Sequence, residues 1–128
     1  MSPLTIQYLA WAFAAGRILL GLAPFVAAAP LIRLLGFPPA HDNPSARLMA
    51  RLFGVRDIGL GVLVIGCATD PVLLRLAILF NLCHDLGDLI AVTIPIVRRQ
   101  GIDRGAALTG VFALGGALAW LGFYFVLP

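Results

Sequence analysis

An apolar run from Pro71 to Val97 carries Asn81, His84, Asp85 and Asp88 at its middle. The run exceeds the roughly 20 residues that an α-helix needs to cross a bilayer. At about 100° per residue, these four positions fall within an arc of roughly 100° on such a helix. An amide, an imidazole and two carboxylates therefore share one face. A charge at mid-bilayer costs about 2.5–3.5 kcal/mol even on the lenient insertion scale. The rest of the chain must fold so as to supply partners for these groups, or the groups must have a use.

Three further apolar runs flank this one, separated by short segments rich in Pro, Gly and Arg. Only 12% of the residues are charged and 61% are hydrophobic, whereas a soluble domain is about a quarter charged. The expected fold is all-α, an integral membrane four-helix bundle. It forms one domain over residues 1–128, with helices at about 4–29, 44–68, 71–99 and 104–127. Asn43-Pro44 and Asp70-Pro71 read as an N-cap followed by proline at the first helical position, and Asp103 reads as a third N-cap. Pro24 should loosen the end of the first helix. Pro30 should begin a short interfacial helix that Gly36 stops. The loop 37–42 is rigid and polar, with His41 in solvent.

Every basic side chain other than His is Arg and every acidic one is Asp. Arg keeps its charge when desolvated and forks onto carboxylates, which suits buried ion pairs. The basic residues are dispersed, and no aromatic–basic surface for nucleic acid stands out. Arg33, Arg47, Arg98, Arg99 and Arg104 flank two of the three loops, and Arg75 alone flanks the other side. The positive-inside rule then puts both termini outside the cytoplasm, in the cell inner membrane. Tyr8 and Trp11 on the first helix and Trp120 and Tyr124 on the last read as anchors at that outer interface. The first thirty residues superficially resemble a signal peptide. Arg17 interrupts their apolar stretch and no basic residue precedes it, so they read as a retained span. Cys67 and Cys83 sit at depths too different for a disulfide and read as small buried hydrophobes.

On this topology Arg17, Arg56, Asp57, His84 and Asp85 lie near one depth, with Asp88 about a turn deeper toward the cytoplasm. Arg51 descends toward Asp88, and Arg56 points away from Asp57. Three helices thus bring ionisable groups to one plane, while the fourth, rich in Gly and Ala, contributes packing. The candidate catalytic residues are Asp85, Asp88, His84 and Asp57, expected to exchange protons as a coupled set. The candidate substrate-binding residues are Arg17, Arg56, Arg51 and Asn81, the arginines stabilising developing negative charge. Buried Arg–Asp pairs that only set helix register are the structural alternative. His84 and Asp88 have metal-ligand spacing, but no second His lies at depth and the arginines oppose a cation. No cofactor and no metal are expected. No nucleophile–His–acid set, phosphate-binding loop or haem His pair is present.

Gly16-Arg17-Ile18-Leu19-Leu20-Gly21 and Ala50-Arg51-Leu52-Phe53-Gly54-Val55-Arg56-Asp57-Ile58-Gly59-Leu60-Gly61 resemble the DoxX-like group of small four-span bacterial membrane proteins, and uncharacterised four-span families allied to it. The resemblance implies the fold. Those families share no settled activity, so it implies no reaction. The residues themselves point to an intramembrane acid–base enzyme, an isomerase, cyclase or hydrolase of hydration or epoxide-opening type. Its substrate would be an apolar, lipid- or isoprenoid-like molecule. A proton-coupled transporter working as a dimer through the last helix is one alternative. A membrane accessory or binding subunit with a structural polar core is the other.

Overall fold

A computed structural model describes residues 1–127; Pro128 lies outside the described residues. Three helices start by one rule, a capping side chain followed by proline. Ser2 caps α1 (Pro3–Val26), Asn43 caps α3 (Pro44–Cys67) and Asp70 caps α4 (Pro71–Val97). In each, the side-chain oxygen accepts from a free backbone N–H of the first turn, and the proline stands where no N–H is needed. Asp103 departs from expectation. It is the first residue of α5 (Asp103–Val126), Ile102 holds the cap position, and no side-chain cap forms.

The first helix ends earlier than expected. It stops at Val26, Ala27 leaves helical geometry, and α2 covers Ala28–Leu34. The cause is Pro30. An unbroken helix would need its N–H for the carbonyl of Val26, and proline has none. Within α2 the same proline falls in the first turn, where backbone donors have no partner anyway. Gly36, at a φ of +82°, then turns the chain into a short 3₁₀ turn at Pro39–His41.

Among the described residues the fold is all-α, with five α-helices. Three of them, α1, α4 and α5, are long and apolar enough to cross a membrane. The chain is a multi-pass membrane protein. α3 is as long as α1 and α5, at 24 residues, but carries Arg47, Arg51, Arg56 and Asp57.

α1 and α3 form one close pair and α4 and α5 another. Gly21 and Gly54 set the first. A Cβ on Gly54 would stand 2.9 Å from the backbone nitrogen of Phe25, and one on Gly21 would stand 2.8 Å from that of Ile58. The two pairs join through α3 against α4, and through Phe13 of α1, whose ring lies 5.3 Å from Trp120 and 4.9 Å from Phe123 of α5. Trp120 is therefore a core residue and not an interface anchor. It belongs to one core cluster with Ala10, Ala14, Val64, Leu74 and Ile78. This dry core fills the half of the bundle that holds the termini. Cys83 also departs from expectation: it is exposed, Cys67 is half-buried, and both are free thiols.

At the other end the two Arg-rich loops meet. The Arg104 side chain crosses Gly36, and the Phe37 ring covers Gly105. Arg33, Arg47, Arg98, Arg99 and Arg104 thus share one end.

Candidate functional site: a buried Arg–Asp chain beside two cavities

Arg17 lies in the middle of α1 on the face that Gly21 presses against α3. Its guanidinium has two carboxylates within reach. One Nη donates to Asp85 of α4 at 2.5 Å, and the other donates to Asp57 of α3 at 3.2 Å. Arg56, the neighbour of Asp57, holds both oxygens of Asp88, at 3.0 and 2.7 Å, in the forked geometry a guanidinium favours. Its Nε and one Nη also donate to Asp57, at 3.3 and 3.1 Å. The result is one alternating chain, Asp85–Arg17–Asp57–Arg56–Asp88, drawn from three helices. Phe53 lies beneath Arg56, its ring centre 3.7 Å from the guanidinium carbon.

The expectation that Arg56 turns away from Asp57 is corrected. The backbone sends the two side chains in different directions, but Arg56 is long enough to fold back and touch both carboxylates. Arg51 does not descend to Asp88. It is exposed, more than a turn nearer the loops, and Arg56 already occupies both Asp88 oxygens. His84 is bonded away from the carboxylates. Its Nδ1 lies 2.9 Å from the carbonyl of Phe80, whose ring it also packs against. Asn81 is fully buried one turn from Asp85 and donates to the Ala77 carbonyl at 2.9 Å.

Two guanidinium groups face three carboxylates, so the chain of pairs carries one formal negative charge in excess. It also leaves buried atoms unpaired: Asp85 Oδ2, Asn81 Oδ1 and Arg17 Nε. Asp85 is only 3% exposed, and an unpartnered polar atom at that depth is costly. Oδ2 lies against Gly116 of α5, where a Cβ would overlap it. α5 therefore shapes the site as well as packing on it.

A cavity of about 150 Å³ opens on this chain, lined by Arg17, Asp57, Asp85 and Asp88 together with Leu20, Pro24, Phe53, Thr109 and Phe112. A larger cavity of about 540 Å³ lies toward the loops, walled by Ile32, Phe37, Met49 and Ile102, with His41, Asn43 and Ser45 among its lining. Pro24, Leu35, Phe53 and Thr109 line both. Sequence reasoning missed these wall residues. Thr109 looked like an ordinary helical threonine, and its hydroxyl does bond its own helix, to the Gly105 carbonyl at 2.8 Å.

The loop end has its own ion-pair group. Asp42 accepts from Arg47 at 2.6 Å and from Arg33 at 3.0 Å, linking α2, the 3₁₀ turn and α3 beside the larger cavity. The Arg47 hydrogen bond, opposed by burial and helped by Arg33, holds the Asp42 carboxyl below its ordinary range.

Residues 14–126 match a domain of unknown function, DUF4267. The chain belongs to the DUF4267 family. The matched segment contains every member of the Arg–Asp chain, both cavities' shared wall and Gly116. For this DUF4267 protein no curated protein and no solved structure matches. Membership is consistent with the DoxX-like likeness of its two Gly–Arg segments.

Proposed function

We propose that this DUF4267 protein is an intramembrane acid–base enzyme acting on an apolar, lipid- or isoprenoid-like substrate, by isomerisation, cyclisation, hydration or epoxide opening. We also propose that α3 is its fourth span, its charges turned inward. The observation that carries the reading is the placement of the smaller cavity. It brings Asp57, Asp85 and Asp88 to the wall of a chamber that shares Pro24, Leu35, Phe53 and Thr109 with a larger, mostly apolar one. That is the usual form of a small-molecule site, mostly apolar with a few convergent polar groups.

In this reading Asp85 or Asp88 gives a proton to an alkene carbon or an epoxide oxygen. In isomerisation or cyclisation the resulting cation loses a proton to the conjugate carboxylate or a neighbouring one. In hydration or epoxide opening a water adds to it and gives up its proton there. Arg17 and Arg56 hold the carboxylates in place. His84 has no bond to them and is assigned a place beside the site.

The unbroken alternation of charge along the Arg–Asp chain favours a second reading, a structural polar core in an accessory subunit. The experiment separates the two. Apolar extracts of membranes carrying wild type, Asp88→Asn or Asp85→Asn would be compared by untargeted mass spectrometry with chromatographic separation. The enzyme reading expects a compound isomerised or altered by one water only in wild type, with all three proteins folded. Identical extracts would favour the structural core.

A further inference from the structure

The smaller cavity is short of the volume that small-molecule sites usually offer. Small-molecule pockets span about 300–1,000 Å³, and this one is about 150 Å³. The larger cavity, at about 540 Å³, is within that range, yet it contains no Asp or Arg. A ligand using both must place its body in the larger chamber and one small group at the Arg–Asp chain. Such a ligand would run along Pro24, Leu35, Phe53 and Thr109, the residues that line both.

The charge of that small group follows from what the site has left over. Both guanidinium groups are engaged by carboxylates, and the three carboxylates outnumber them. Of the residues with buried unpaired atoms, Asp85 (Oδ2) and Arg17 (Nε) line the smaller cavity, one acceptor and one donor, and Asn81 does not. The charge of the end group is therefore set by the carboxylate excess and not by a count of free atoms. Once the acid of the proposed reaction has given up its proton, three carboxylates face two guanidinium groups in a medium that screens poorly. An anion there is repelled, and a cation, which can also take the place of that proton, is favoured.

We infer that the site binds a slender apolar molecule whose end group at the Arg–Asp chain is positively charged, or becomes so during reaction. The inference rests on the function proposed above and specifies it. It reverses the role first expected of the arginines. They are spent on orienting carboxylates, and the field left for the substrate is negative. Protonation of an alkene or an epoxide, which leaves positive charge on the substrate, is the class of step that such a field favours.

The test uses three probes with one chain and different heads: octylammonium, octanol and octanoate. Binding to the purified full-length protein in a neutral detergent would be followed by calorimetry. Octylammonium should bind about tenfold or more tightly than octanoate, with octanol between. Asp88→Asn, which makes the chain of pairs formally neutral, should shrink that preference. Ala50→Phe, which fills the larger cavity, should abolish binding of all three. The wild-type ranking decides the question even if Asp88→Asn does not fold. Octanoate binding as tightly as octylammonium, with Ala50→Phe blocking both, would overturn the charge assignment and leave the cavity reading standing. Absence of binding by any probe, or binding indifferent to Ala50→Phe, would overturn both.

Discussion

Arg17 and Asp85 are 68 positions apart in the chain, on α1 and α4, and their side chains meet at 2.5 Å. Both are more than nine-tenths buried. This contact ties the α1–α3 pair to the α4–α5 pair at the depth where the polar site lies. It is at once the latch of the bundle and one wall of the smaller cavity.

Removing one side of a buried ion pair leaves the other uncompensated. Arg17→Leu should destabilise the bundle by about 3–5 kcal/mol, whereas Arg98→Gln at the exposed loop should cost under about 1 kcal/mol. Thermal unfolding of both variants in one detergent checks this. Equal melting temperatures would mean that Arg17 is not the latch.

The glycines of α3 are predicted to divide by what faces them. Gly54 meets the backbone of α1, so Gly54→Ala should force α1 and α3 apart at a cost of about 1–3 kcal/mol. Gly59 faces open space, so Gly59→Ala should stabilise by up to about 1 kcal/mol through helix propensity. Melting temperatures moving in opposite directions would bear this out. A Gly54→Ala variant as stable as wild type would not fit the close approach.

Asp42 supplies a pH dependence with a definite sign. Its folded pKa lies below the ordinary 3.8, held there by Arg47 and Arg33 against burial. The unfolded carboxyl therefore binds its proton first as pH falls. The Asp42 contribution is complete above the unfolded value and lost as pH drops through the folded one. The stability gap between wild type and Asp42→Asn should be constant near neutrality and close only below about pH 4. A gap that instead narrows between pH 6 and 8 would point to another group.

The five loop-end arginines share one end of the fold, opposite the termini. The positive-inside rule predicts that this end is cytoplasmic and that both termini lie outside. A reporter enzyme that is active only outside the cytoplasm, fused after the last residue, should be active. Activity of a cytoplasmic reporter at that position would invert the orientation.

What the sequence determined by itself was local or periodic. The apolar run lengths marked α1, α4 and α5 as spans. The Asn43-Pro44 and Asp70-Pro71 pairs marked helix starts, because capping and proline chemistry act within one turn. The depth of Arg17, Asp57 and Asp85 was legible too, since rise per residue converts position into depth once the topology is set. Azimuth and reach were not legible. Depth does not say which way a helix turns about its axis, nor how a flexible side chain folds. Only the tertiary structure decided that Arg56, and not Arg51, holds Asp88, and that His84 bonds its own helix. It alone showed that Trp120 is core, because the Phe13 it packs on comes from another helix. The cavities had no sequence signal. They are spaces between helices, α4 contributing Asp85 and Asp88 to the smaller one, and apart from the Arg–Asp chain most of their walls are ordinary apolar residues. Even the break at Ala27, whose cause is the missing N–H of Pro30, needed the structure to show which of two nearby prolines would end the helix.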